Sequence, residues 1–333
     1  MKLRPALLAL PLLLLLGGCS KTVTVTSLRP AAVKEADRAR RLAVYPLQND
    51  TVGLTGKIEA DASAVRVEGE PWFEVLSRAD SAQIFEELRL QASGLTRESG
   101  AIEAGGLLGA AAIVTGRVTA AEVADSRYSV RRYECLDKTC EKVRRYRVPC
   151  TRRTATLAAQ IKVVDVEKGD ILYSESYRRT RSWDHCRDRS GGLPAGSEAL
   201  QELADTIAAD FVARLTPGYD RFTVELMEDP DIDYTDRQER LLADALAYLD
   251  HGRYDRAKRL LGELVRSTRE RSVTAAYDLG VLEEMTGNPE AARSLYRLAD
   301  SLVEAPDERI DDAVLRIEKV LHRRRLALEQ MGR

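Results

Sequence analysis

Between residues 42 and 216, apolar positions alternate between short runs and helical spacing. Residues 42–47 (LAVYPL) form a compact apolar strand, 55–67 have helical character, and 72–76 (WFEVL) read as a second strand. Asp80 or Ser81 can cap a helix that runs through Ala92, with Ile84, Phe85 and Leu88 falling near one face. A loop at Gly94 leads to a helix of small residues over 101–108, and 111–118 read as a buried strand. Residues 154–166 and 171–180 are expected to be strands joined at Lys168-Gly169, a two-residue turn with glycine where a positive φ is needed. Over 197–215, Leu200, Leu203, Ile207, Phe211 and Leu215 are spaced for burial on one helix face. Strands alternating with helices, then antiparallel hairpins, predict a mixed α/β sheet domain over 42–216. Upstream, 22–26 alternate Thr and Val and read as an edge strand, and 32–40 as a charged helical approach.

The last hundred residues change character. Segments 244–264 and 276–299 repeat at an offset of 35 residues: Gly252 aligns with Gly287, Ala257 with Ala292, Leu261 with Tyr296 and Leu264 with Ala299. Small residues where helices cross, with larger ones between them, resemble the tetratricopeptide pattern. Such repeats imply a protein partner. Ile310, Val314, Ile317, Leu321 and Leu326 supply a capping helix, so 237–333 are expected to be an all-α repeat domain. Residues 217–236, acidic and containing Pro217 and Pro230, read as the linker before it.

At the N-terminus, Lys2 and Arg4 precede an apolar run that ends in Leu16-Gly17-Gly18-Cys19. That run of about 11 residues is too short to span a bilayer and has the build of a secretory signal with small residues at its cut site. It resembles a bacterial lipoprotein signal. The resemblance implies removal of 1–18, lipidation of Cys19 (palmitate among the acyl chains), and a lipid-anchored segment 19–41. Ser20, where an aspartate would imply inner-membrane retention, points to the outer membrane with the rest of the chain facing the periplasm.

That compartment changes the reading of the other four cysteines, because thiols in an oxidising space are expected to pair. Reflection through the Lys168-Gly169 turn puts residue 150 opposite residue 187, so Cys150 and Cys186 come within bridging distance with a one-residue bulge. Cys135 and Cys140 flank a four-residue loop and can pair across their own hairpin. A metal site is the alternative, since His185 stands beside Cys186, but no paired C-x-x-C accompanies it. No metal or cofactor is expected.

The formal charge of −2 implies no bulk attraction to nucleic acid, but its distribution is uneven. Residues 127–153 hold ten Arg or Lys against three acids, and 225–236 hold six acids and no base. Arg131, Arg132, Arg144, Arg145, Arg147, Arg152 and Arg153, interleaved with Tyr128, Tyr133 and Tyr146, form a candidate basic binding face for envelope phosphates or an acidic protein, within a hairpin insertion at about 125–190. A solvated, disulfide-braced surface is the plainer alternative.

Five segments carry a further resemblance: Leu42-Ala43-Val44-Tyr45-Pro46-Leu47, Trp72-Phe73-Glu74-Val75-Leu76-Ser77-Arg78, Ser93-Gly94-Leu95, the glycine-bracketed stretch from Gly106 to Val118, and Val163-Val164-Asp165-Val166-Glu167-Lys168-Gly169-Asp170-Ile171. In this order, behind Cys19, they resemble the CsgG/HfaB family of outer-membrane lipoproteins, which includes the curli secretion channel. The resemblance covers about residues 19–216. It implies a CsgG-like α/β domain, a role in envelope assembly or secretion, and a ring-forming homo-oligomer. A monomeric periplasmic adaptor or activator of a cell-wall enzyme is the other reading. In the channel family, hairpins contribute staves to a shared barrel, whereas 129–135 and 142–153 carry Arg on both alternating faces. An arginine facing lipid at mid-bilayer costs about 2–4 kcal/mol.

Catalytic constellations are absent from this pattern. His185, His251 and His322 are scattered, Gly105-Gly106 lacks the lysine of a phosphate loop, and adjacent Glu86 and Glu87 point in different directions on a helix. The chain reads as non-enzymatic.

Overall fold

The computed structural model describes residues 21–76, 106 and 109–333. Cys19, Glu86-Glu87, the helix expected at 80–92, the loop at Gly94 and most of the helix at 101–108 lie outside the described residues. Two compact units are formed, one from Leu28–Tyr219 with Arg323–Arg333, the other from the chain up to Ser27 with Asp220–His322.

The first unit is built on a five-stranded sheet of order β5-β2-β6-β7-β8, with β2 Arg41–Val44, β5 Glu74–Val75, β6 Ala112–Cys135, β7 Val143–Asp165 and β8 Ile171–Cys186. Strand β2 runs parallel to both β5 and β6, and β6, β7 and β8 form an antiparallel meander. At the root of the sheet, Leu42, Val44, Ala112, Val114, Leu157, Ile161 and Val163 are buried in one cluster with Leu54 and Ile58 of α1 (Leu54–Ala64) and Leu203, Ile207 and Phe211 of α2 (Gly196–Arg214). Both helices carry the apolar stripe that such burial requires. Asp50 fixes the start of α1: its carboxylate accepts from the Leu54 and Thr55 backbone N–H groups at 2.9 and 2.8 Å and from the Thr55 hydroxyl at 2.7 Å. Burial pushes the Asp50 carboxyl up, but these bonds and one from Val52 N–H outweigh it, and its pKa lies below the usual value.

Three local readings are revised. The segment 32–40 forms only one 3-10 turn, Ala36–Ala39, because Ala31, Val33, Ala36 and Ala39 are all drawn into the core. The helix expected to 67 stops at Ala64; β3 Arg66–Val67 then pairs with β4 Glu70–Pro71 across Glu68-Gly69, both at positive φ as a tight hairpin demands. The β7–β8 connection is longer than two residues. The Asp165 side chain accepts from the Glu167 and Lys168 N–H groups at 3.0 Å, and the register slips between Val163 and Val164.

Gly116 is the glycine that the sheet cannot replace. With φ +154°, a Cβ there would lie 2.1 Å from the Gln160 carbonyl oxygen, so β6 and β7 meet closely only without a side chain. A register shift between Val118 and Ala120 follows directly after.

In the second unit, β1 Thr22–Arg29 pairs with β9 Gly218–Glu225. The acidic stretch expected to be a linker therefore contains a strand, whose Val224 is buried beside Val25 in the helical core. Helices α3 Asp236–Asp250, α4 Tyr254–Ser267, α5 Val273–Met285 and α6 Pro289–Leu302 follow, then α7 Glu308–Gln330, whose residues to His322 belong to this unit. Thr235 caps α3, accepting from Gln238 N–H while the Gln238 side chain accepts from Thr235 N–H. Gly280 occupies a helix crossing, where an added Cβ would lie 2.7 Å from the Tyr296 ring. Buried Glu284 on α5 accepts from Tyr296 Oη at 2.7 Å and from Arg316 on α7 at 3.1 Å. Asp278 is fully buried; one oxygen accepts from Met227 N–H at 2.9 Å, and burial holds its carboxyl well above the usual range.

Candidate functional site

Beyond Val118 the β6–β7 ribbon leaves the core. Residues 119–135 of β6 are exposed or half-exposed throughout, and at the rise of an extended strand they reach about 55 Å. This arm holds six of the ten large hydrophobic residues that stand exposed among the described residues: Val123, Tyr128, Tyr133, Leu136, Val143 and Tyr146.

Two disulfides brace it. Cys150 lies directly opposite Cys186 on β8 with a Cα–Cα distance of 4.0 Å, and the two are bonded. The Arg187 N–H donates to the Pro149 carbonyl, which makes Cys150–Cys186 a non-hydrogen-bonded pair, the closer of the two antiparallel pairings. The turn closed by the Asp165 N–H to Asp170 carbonyl bond is centred between residues 167 and 168, which alone would set residue 185 opposite Cys150, and the extra β8 residue at the slip moves the partner to 186. At the tip, Cys135 bonds Cys140 around a turn in which Asp137 accepts from the Glu141 and Lys142 N–H groups. Cys186 is therefore not a thiolate beside His185.

The seven arginines expected to share one basic face do not. Side chains alternate along a strand, and cross-strand partners share a face. Arg132, opposite Tyr146, lies on one face with Arg144, opposite Glu134, and Arg152, opposite Ser126 and Asp184. Arg131, opposite Arg147, lies on the other face with Arg145, opposite Tyr133, and Arg153, opposite Asp125.

The first face neutralises itself. Arg152 pairs with Asp184 at 2.9 Å, Arg132 with Asp188 at 2.9 Å, and Arg144 with Glu134. Hydrogen bonds from Arg152 and from the Tyr128 hydroxyl, the latter at 2.7 Å, hold the Asp184 carboxyl below its ordinary pKa. On the second face, Arg153 is bound by Asp125 at 2.7 Å and also donates to the Pro194 carbonyl. Arg127, Arg131, Arg145 and Arg147 have no acidic partner among the described residues, and Arg131 stands directly across from Arg147. The acids that divide the faces, Asp184 and Asp188, lie on β8 and just after it; counting alternate positions in 127–153 would have separated the arginines but not revealed these partners.

On the repeats, a cleft beside α4 is lined by Lys258, Arg259, Glu263, Arg266, Leu279 and Glu283, with Lys258 bound to Glu283. No helix among the described residues is long and apolar enough to cross a membrane.

A mixed α/β domain with a long β-arm, followed by paired helices at a fixed repeat, defines a two-part protein. Residues 32–187 match the family described as curli production assembly/transport component CsgG, and 242–309 match a tetratricopeptide repeat family. The α/β domain thus matches the CsgG family and the helical region matches tetratricopeptide repeats. Among solved structures it is similar to a PelC dodecamer from Paraburkholderia phytofirmans (14% identity, 58% of this chain and 97% of that one, TM-score 0.28). A second PelC dodecamer from that organism matches at 16% identity over 59% and 97%, with TM-score 0.25. Lipoprotein GNA1162 from Neisseria meningitidis matches at 17% identity over 51% and 96%, with TM-score 0.26. No curated protein matches the chain.

Proposed function

We propose that this chain is a non-enzymatic lipoprotein of cell-envelope assembly or secretion. In this reading it is anchored through Cys19 in the outer membrane, faces the periplasm and engages a protein partner through its repeats. The observation that carries the proposal is the CsgG-family domain at 32–187, whose family description is an assembly and transport component. The cysteine-terminated signal pattern at 16–19 and the two disulfides agree with an oxidising compartment. A curli-type transporter reading adds a ring of copies.

One observation favours a second reading, a monomeric or small-oligomer adaptor. Arginines stand on both faces of the arm, so either face turned to lipid at mid-bilayer would cost about 2–4 kcal/mol per arginine. Light scattering on the detergent-extracted, lipidated protein, paired with single-channel conductance, separates the two. A uniform large oligomer that conducts supports the secretion channel; a non-conducting monomer or small oligomer moves the function to the adaptor.

A further inference from the structure

We propose that the face of the arm bearing Arg127, Arg131, Arg145 and Arg147 docks on an anionic phospholipid surface, lying in the headgroup layer without crossing it. Placing this surface in the envelope rests on the reading above; the affinity itself does not.

The argument begins with the difference between the two faces. They share the same strands, yet acids answer all three arginines on one side and only Arg153 of the five on the other. Arg131 and Arg147 oppose each other directly, an arrangement that destabilises an isolated ribbon. An anion seated between them removes that cost. Arg127 lies four positions along β6 from Arg131, about 13 Å on the same face, so the charges are spread along a flat ribbon rather than gathered in a pocket. A plane of phosphates suits such a ribbon better than a single small anion does.

The tip decides between a membrane and an acidic protein. Tyr133 is 62% exposed and Val143 46% exposed, and both lie on the face of the unpaired arginines; Leu136, in the adjoining turn, is 60% exposed. Arg145 lies over the Tyr133 ring at 5.7 Å. Aromatic and aliphatic groups beside arginines match the boundary between headgroups and acyl chains, where the rings enter and the guanidinium groups meet phosphate. Anionic lipid attracts each such arginine enough to strengthen binding about fivefold.

The test uses the full chain carrying Cys19→Ala, so that no acyl chain can attach it. Co-sedimentation is measured with phosphatidylcholine vesicles, alone and mixed with phosphatidylglycerol. Binding to the mixed vesicles, weakened by salt, is expected. Arg131→Gln with Arg147→Gln should reduce it about 25-fold, and Arg132→Gln with Arg144→Gln, on the self-neutralised face, far less. Both variants should keep the two disulfides in peptide maps, which checks folding. Equal losses from the two variants, equal binding to neutral vesicles, or no vesicle binding would each overturn the proposal. Binding to soluble polyglutamate in place of vesicles would overturn it in favour of an acidic protein. Failure of the anchor reading appears separately, as release of the unmutated protein from membranes.

Discussion

The arm and the helical repeats use arginine in opposite ways. In the repeats, Arg316 is drawn against Glu284, whose side chain is 1% exposed, and against the Tyr296 and Phe222 rings. In the arm, Arg131 and Arg147 stand exposed across from one another, and the acid on their face, Asp125, binds Arg153 instead. The first arrangement ties three helices together and is complete within the chain. The second is incomplete within the chain, which identifies a surface awaiting something else.

The largest effect is expected from breaking the complete arrangement. Arg316→Leu leaves Glu284 buried without its cation, and loss of one partner of a buried pair costs about 3–5 kcal/mol; urea unfolding should register it. Next comes the brace of the arm. Replacing Cys150 and Cys186 by Ala opens a loop of 36 residues in sequence, for which about 2–4 kcal/mol is expected. Amide exchange should accelerate near 143–150 and 180–186 while the root at 112–118 stays protected. A uniform loss of protection would mean that the arm and root unfold together. The smallest change should be a gain. Arg147→Glu places opposite charges across the ribbon and is expected to stabilise by about 0.2–1 kcal/mol, read as a higher midpoint of unfolding. A lower midpoint would show that Arg147 already has a favourable neighbour.

Much of this was legible in the residues. The 35-residue offset that aligns Ala257 with Ala292 and Leu261 with Tyr296 marks positions buried in the repeats, because helix crossings constrain size directly. The Cys150–Cys186 pairing followed from reflecting one strand on the next, with a net error of one residue: the turn is centred one residue earlier than expected, which shifts the partner by two, and the slip near Val163 restores one. The strand at Gly218–Glu225 was hidden because a two-stranded edge needs only Val224 and, in part, Phe222 inward, while its acids advertise a linker. The division of the arginines was hidden for a different reason. Their order along the chain shows a cluster, and two of the acids that silence part of it, Asp184 and Asp188, come from β8 and the turn after it, brought near only by the third strand.

Residues 330 and 331 return to the first unit from beyond the repeats, which bears on the order in which that unit can assemble. Gln330 accepts from the Ala31 N–H at 2.8 Å and donates to the Val33 carbonyl, and Met331 packs against the core that holds Trp72 and Phe211. Because 28–219 and 323–333 belong to one unit, the sheet unit emerges early yet completes its contacts only after the stretch beyond the repeats has been synthesised. Each unit is likewise assembled from two separate stretches of chain. No single cut between residues 219 and 323 yields two complete pieces, and shortening the tail should be felt first near residue 31, about three hundred positions away.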